Sequence, residues 1–244
     1  MSQYNNSINE TITLNFYVTP PHDCSYGKEQ QAGTLFLSPE IQPQEGFYEL
    51  LINKGFRRSG DHIYRPHCEG CKECISVRIK AIDFIPSKQQ RRCAKKGKRF
   101  SQKISPAKFD EEHYQLFEKY INARHKDGDM YPASVKQYEE FLFCDWLNTQ
   151  YLDFIEPTTG KLIACCVFDE LKSGLSAIYT FFDPEYSKFS PGRLAVLSLI
   201  ERNILLEKEF VYLGYWVNSC QKMSYKGEYR PIECFTNEQW VGLN

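Results

Sequence analysis

The sequence predicts an α+β fold, in which a small cysteine-containing N-terminal module precedes a mixed sheet with helices. Three observations carry this expectation. Residues 1–85 are dense in Gly, Pro, His and Cys, with only short apolar runs between them. From residue 110 the apolar spacing is helical twice, strand-like three times, helical once more and strand-like again. The strand–helix–strand order over residues 177–217 is a crossover, and a crossover requires at least one parallel pair in the sheet. The expected divisions are residues 1–85 for the module, 86–105 for a basic linker or helix, and 106–244 for the main domain.

The elements follow in chain order. A helix is expected over residues 45–53, ended by Lys54-Gly55. Ile75, Val77 and Ile79 alternate with Ser76, Arg78 and Lys80, the period of a half-buried strand. A helix over 110–125 has Phe117, Tyr120 and Ile121 on one side and acids in its first turn. A second helix over 134–146 has Ser134 as N-cap. Strands are expected over 151–155, 162–168 and 177–182, separated by the turn signals Pro157-Thr158-Thr159-Gly160 and Lys172-Ser173-Gly174. Asp183-Pro184 breaks the third strand. Ser190-Pro191 opens a helix, with Ser as N-cap, Pro at the first helical position and Leu194, Leu197, Ile200, Ile204 and Leu205 as its apolar stripe. Residues 210–217 read as the next strand.

Composition bounds the functions available. The chain has 244 residues, 42% apolar and 25% charged, enough for one large or two small packed domains. Net charge is −1, so any nucleic-acid site must be a local patch. No apolar run approaches the roughly 20 residues of a membrane span. The first fifteen residues are polar, without a signal-peptide pattern, so a cytoplasmic protein is expected. Ten cysteines in that setting point to free thiols or metal ligation rather than disulfides. Aromatic residues reach 15%, which serves a Tyr-rich core as well as it serves stacking surfaces.

Four groups of residues could carry chemistry. Cys68, Cys71 and Cys74 repeat the C-x2-C step that converges thiolates on a soft metal, with Cys24 or His67 as a fourth ligand. Packed, unligated thiols are the competing reading. Arg57 and Arg58 lie in a glycine-bounded stretch followed closely by Arg65 and His67, which suits capture of a carboxylate or phosphate, or else a solvated turn. Arg91, Arg92, Lys95, Lys96, Lys98 and Arg99 belong to a run with no acid, the best sign of RNA contact in a chain of near-zero charge. Tyr179 to Pro184, the helix start at Ser190-Pro191-Gly192-Arg193 and the strand Tyr212 to Trp216 should meet at one crevice, with free helix N–H groups beside it. Lys222, Tyr225 and Lys226 follow that strand.

The pieces Cys24-Ser25-Tyr26, Gly55-Phe56-Arg57-Arg58-Ser59-Gly60-Asp61, Tyr64-Arg65-Pro66-His67-Cys68, Tyr179-Thr180-Phe181-Phe182-Asp183-Pro184, Tyr212-Leu213-Gly214-Tyr215 and Cys220-Gln221-Lys222-Met223-Ser224-Tyr225-Lys226 run through nearly the whole chain. Together they resemble the bacterial branch of the arginyl-tRNA–protein transferase family, the aspartate/glutamate leucyltransferases. The resemblance implies an acetyltransferase-like (GNAT-type) main domain that uses aminoacyl-tRNA. It also implies transfer of leucine from leucyl-tRNA to proteins with an N-terminal Asp or Glu, marking them for N-end-rule degradation.

On that reading, Asp183 orients or deprotonates the acceptor amine, and Tyr179, Tyr215 and Tyr225 are hydrogen-bond donors. Arg57, Arg58 or Arg65 reads the acceptor carboxylate. The basic run binds tRNA together with Arg193, Lys222 and Lys226. The transfer needs no cofactor, and Cys24, Cys68, Cys71 and Cys74 are candidate ligands of a structural zinc or iron–sulfur centre. Neither DNA nor a membrane is an expected partner. An arginine substrate would need a carboxylate in the pocket, and only Asp169 and Asp183 stand near, just past strand ends. An arginyl-tRNA–protein transferase is the first alternative. An acyl-CoA N-acetyltransferase would show a glycine-rich loop before residue 191, where only Gly192 stands. A non-catalytic RNA-binding protein would leave the C-terminal domain unexplained.

Overall fold

The computed structural model describes residues 13–27, 30–126, 128, 130–221 and 223–243. Short strands β1 (Phe16–Val18), β2 (His22–Asp23), β3 (Gln31–Ala32) and β4 (Thr34–Leu37) lead to α1 (Glu45–Ile52), β5 (Arg57–Ser59), β6 (His62–Pro66) and β7 (Ile75–Lys80). Next come α2 (Lys88–Gly97), β8 (Ser101–Pro106), α3 (Glu111–Arg124), α4 (Val135–Leu142), β9 (Asn148–Ile155), β10 (Leu162–Glu170) and β11 (Gly174–Phe182). The chain closes with α5 (Pro191–Leu205), β12 (Phe210–Trp216), β13 (Ile232–Thr236) and β14 (Gln239–Leu243).

An eight-stranded sheet in the order β14-β13-β7-β12-β11-β10-β9-β8 organises the molecule. Its β11–β12 pair is parallel, as the crossover through α5 requires, and its other pairs are antiparallel. One face buries Val77, Ile79, Phe168, Val211 and Leu213 against α5 and α2. On the other face α3 and α4 cover one half, with Phe117, Tyr138 and Phe181 at the centre. The N-terminal four-stranded sheet, β1-β4-β6-β5, covers the other half together with α1, through Tyr48, Ile52, Phe56 and Tyr212. The α+β class and the mixed sheet are as expected.

Local chemistry explains the ends of the helices. Ser87 and Gln90 form a reciprocal capping box at α2, so the basic segment is a helix rather than a linker. Asp110 accepts from the Glu112 and His113 amides at α3, and Ser134 accepts from Gln137 at α4. Ser190 departs from expectation: it stands at the start of α5 in the left-handed region, φ 53°, and its side chain caps nothing. Ile204 and Leu205 are also not part of the buried face, being 42% and 83% exposed where the last turn leaves the sheet behind. Helix α4 ends at Leu142, short of the expected residue 146, with Phe143 already extended.

Strand β7 lies inside the large sheet, between β12 and β13, and β8 from the basic segment forms one of its edges. No helix among the described residues is long and apolar enough to cross a membrane.

Candidate active site

The parallel pair holds together over three residues and then opens. Gly174, Leu175 and Ser176 pair with Phe210, Val211 and Tyr212. Beyond them β11 stays with β10 as far as Phe182, and β12 stays with β7 as far as Trp216. Each strand is thus held by its outer neighbour while the inner edges part. Both shift register at this level: Ile178 is the unpaired extra residue of β11, and Leu213 that of β12. Gly214 follows at φ +77°, a conformation that costs any residue with a β-carbon, so the bulge that bends β12 away is built on a glycine. Ala177 to Thr180 on one wall and Gly214 and Trp216 on the other are half-buried.

The three arginines expected to read a carboxylate are in different situations. Adjacent residues of a strand face opposite ways, and Arg57 and Arg58 diverge accordingly. Arg58 is wholly engaged. Its Nε and Nη2 fork onto Asp169 at 2.7 and 2.6 Å, Nη2 also donates to Thr149, and Nη1 donates to the Gly60 and Leu142 carbonyls. Arg65 pairs with Glu238 at 3.0 Å near the surface. Arg57 is 4% exposed, over the rings of Tyr212 and Tyr215, and donates to the carbonyls of Phe56, Ile52 and Val77. Its Nε has no partner, and no carboxylate among the described residues pairs with it.

The residues expected to catalyse are also sorted. Asp183 is 1% exposed at the end of β11 and receives Lys119 at 2.8 Å and Lys161 at 2.7 Å. Burial raises its carboxyl, but the hydrogen bonds from the two ammonium groups outweigh this and hold it below the usual range. It also caps the 3-10 helix Pro184–Phe189. A carboxylate so stabilised is a weak base, and its geometry is that of an anchor for the end of β11. The Tyr215 hydroxyl lies 3.0 Å from the Gly55 carbonyl and 3.1 Å from that of Tyr64, so its proton is committed. Tyr179 and Tyr225 flank Tyr120; burial, then Tyr120, raises both, Tyr225 to about 12. Both therefore stay protonated and able to donate at neutral pH.

Basic residues gather near the opening. Helix α2 turns Gln90, Cys93 and Gly97 inward and leaves Arg91, Arg92, Lys95, Lys96, Lys98 and Arg99 exposed. Among the described residues, only Arg99 of these six reaches a carboxylate, Glu156 at 3.8 Å. The Cys93 thiol donates to the Phe189 and Ser190 carbonyls, setting α2 against the start of α5. Arg193 pairs with Glu228, whose carbonyl also accepts from Gln90, so the 3-10 turn Ser224–Glu228 is tied to both helices. Lys226 of that turn points inward and donates to the Tyr215 carbonyl at 2.9 Å. Lys222 lies outside the described residues.

Cys24, Cys68, Cys71 and Cys74 line one cavity of about 440 Å³, together with Tyr26, Glu73 and Ser219. Burial, then the neighbouring thiols Cys68, Cys24 and Cys71, pushes Cys74 up to about 12. No three of the four bring their sulfurs within 4.8 Å of one another. His67 is not among the residues that line the cavity. Missed in the sequence were Lys119 and Lys161, which hold Asp183, and Asp169 as the partner of Arg58; these pairings join residues far apart in the chain and leave no local signal. The bulge at Gly214 did have one, a lone glycine inside a strand pattern.

Comparison with known proteins shows the family. The profile "Arginine-tRNA-protein transferase, N terminus" matches residues 22–92, and "Arginine-tRNA-protein transferase, C terminus" matches residues 112–236. An aspartate/glutamate leucyltransferase of Pseudomonas aeruginosa (strain LESB58) is 47% identical over 234 residues, covering 96% of this chain and 99% of the relative. One from Alcanivorax borkumensis is 46% identical over 228 residues, 93% of each chain. One from Saccharophagus degradans is 46% identical over 93% of this chain and 96% of its own. The N-terminal match carries the three arginines and the four cysteines, the C-terminal match both walls of the crevice, and so the chain belongs to the arginine-tRNA-protein transferase family.

Proposed function

We propose that this enzyme moves leucine from leucyl-tRNA to the α-amino group of proteins that begin with Asp or Glu, which marks them for N-end-rule degradation. The observation that carries the reading is the full-length similarity to relatives named aspartate/glutamate leucyltransferase. The geometry supports each part of it. The opening between β11 and β12 gives an extended peptide end and an aminoacyl ester a common place to meet. The ester is already activated, so positioning and stabilisation of the developing oxyanion supply most of the catalysis. The hydroxyls of Tyr179 and Tyr225 are the donors available for that oxyanion.

Arg57 is the arginine that suits the acceptor's acidic side chain. A buried guanidinium without a counter-ion is costly, and an arriving carboxylate relieves that cost. Arg58 has no donor to offer, and Arg65 is held outside by Glu238. The exposed cations of α2 suit the tRNA backbone, next to the open start of α5.

Leucine suits the pocket better than arginine. The two carboxylates expected beside the crevice are both engaged, Asp169 by Arg58 and Thr149, Asp183 by Lys119 and Lys161. Neither can pair with a substrate guanidinium without breaking a buried ion pair. The test is competition. With leucyl-tRNA and arginyl-tRNA supplied together and a Glu-initiated peptide as acceptor, the product should gain the mass of leucine; a gain of arginine overturns the assignment.

The four thiols suit a soft metal in kind. A metal centre there would supply a covalent staple between the start of the module and the 68–74 loop, and the transfer chemistry does not depend on it. Elemental analysis of anaerobically purified protein should find zinc or iron near stoichiometry. A preparation with neither iron nor zinc would leave the four as packed thiols.

A further inference from the structure

Lys226 differs from every other cation near the crevice. Its turn sits on the α5 side of the sheet, where Tyr225 packs against the main core and the Trp216 indole donates to the Ser224 carbonyl. Its amine nonetheless reaches Tyr215, on the stretch of β12 that β11 has left, and faces Arg57, which lies against the opposite side of the sheet. The side chain therefore reaches into the gap between the parted strands. Gly214 borders it: a β-carbon there would stand 3.6 Å from the Lys226 nitrogen. Among the described residues no carboxylate pairs with this amine. The charged group facing it is Arg57 of β5, and the titratable groups around Arg57 are Tyr48 of α1, Tyr64 of β6 and Tyr212 and Tyr215 of β12, with Cys74 beyond Tyr64 and Tyr215. Burial, then the Arg57 cation, brings Lys226 down to about 7.

The reaction needs a group of this kind. The acceptor α-amine is mostly protonated at neutral pH, with an ordinary pKa of about 7.7–8.0, and only its neutral form attacks. After attack the nitrogen carries a positive charge, while the ribose oxygen must leave as a hydroxyl. A single group that is neutral about half the time can accept the first proton and deliver the second. Asp183 is saturated by two lysines. Tyr179 and Tyr225 hold their protons too firmly to ionise and so cannot act as bases, and the Tyr215 hydroxyl is committed to backbone carbonyls.

We propose that Lys226 is the proton carrier of the transfer: its free amine takes a proton from the acceptor's α-amino nitrogen and returns it to the departing ribose oxygen. The N–C(carbonyl) bond forms, the C–O bond to the ribose breaks, and Lys226 ends as it began. No oxidation or reduction is involved. The proposal rests on the aminoacyl-tRNA–protein transfer reading above and replaces a tRNA-backbone contact as the role of this lysine. It also links chemistry to acceptor choice. An acidic side chain placed on Arg57 offsets the cation that depresses Lys226, so an acidic acceptor makes Lys226 the stronger base.

The experiment is single-turnover transfer from leucyl-tRNA to an Asp-initiated peptide, with tRNA binding measured separately. Variants are Lys226→Ala, Lys226→Arg and Lys226→Met, the last keeping the stem and its packing. Ala and Met should lower the rate roughly 10²–10⁴-fold with tRNA affinity unchanged. Arg, which stays protonated, should be as slow as Met. Added methylamine should restore part of the rate to Lys226→Ala and none to Lys226→Met. Full activity in Lys226→Arg, or a loss confined to tRNA affinity, overturns the proposal while leaving the transfer reading intact. A wild-type protein that transfers no amino acid from any aminoacyl-tRNA overturns both.

Discussion

Two neighbouring arginines show how residue-level chemistry divides. Arg57 and Arg58 are indistinguishable in sequence, both in a glycine-bounded stretch, and the same task is expected of each. The pleat separates them: one is sent to a carboxylate 111 positions away, the other is left unpaired under two tyrosine rings. Removing each should therefore do different things. Arg57→Ala should raise the KM for an Asp-initiated peptide roughly 10–100-fold, the weight of a hydrogen bond to a charged group. It should also shrink the preference for Asp- over Asn-initiated peptides. Arg58→Ala should leave Asp169 buried and alone, lowering stability by about 3–5 kcal/mol in urea unfolding. An unchanged Asp/Asn preference in Arg57→Ala would remove Arg57 from acceptor recognition. The pairing of Arg58 could not be read beforehand, because nothing local announces a partner that distant. The cysteine group was legible, because a two-residue spacing constrains geometry by itself.

Elements were legible in proportion to their length and period. Helices α1, α3 and α5 and strands β7 and β12 fall close to where they are expected; β9 and β11 start three residues earlier, so that Gly174 opens β11 instead of closing a turn, and β10 runs two residues further and takes in Asp169. The strands of two to five residues in the first 66 positions were unforeseen, and so were β8, β13 and β14. Such segments are too short to express a period, and β8 carries the polar exposure of a sheet edge. The crevice was foreseen as a meeting of strand end, helix start and next strand; the bulges that open it became visible only with the register. Helix α2 reads in the sequence as linker or helix, since its charge run conceals the capping box. Its exposed face yields a clean test. Replacing Arg91, Arg92, Lys95 and Lys96 by Gln should weaken tRNA binding and flatten its salt dependence, by roughly 0.7–0.9 of a slope unit for each phosphate no longer neutralised. The fold should be unaffected, because none of the four is buried. An unaltered salt slope would place the tRNA backbone elsewhere on the molecule.

At the scale of the molecule, stability should depend on pH through a few clamps. His113 joins α3 to β9, with Nδ1 2.8 Å from Asp110 and Nε2 3.0 Å from Asp153, and its ring stacks on Tyr151. Burial opposes its charge, but the two carboxylates outweigh burial and raise it above the ordinary 6.5. Its contribution is present in full below 6.5 and is lost as pH rises through the raised value. Asp110 and Asp183 are depressed, so theirs is lost as pH falls through their lowered values. Urea unfolding of His113→Gln should show a flatter decline on the alkaline side than wild type; equal slopes would exclude the clamp. The position of β7 reaches further than stability. Its two flanking strands, β12 and β13, are made long after it, so a nascent chain emerges from the ribosome with this apolar strand bare along both edges. The central sheet cannot close until β12 and β13 have been made. A chain that stops before β12 leaves both edges of β7 open to pairing with other chains.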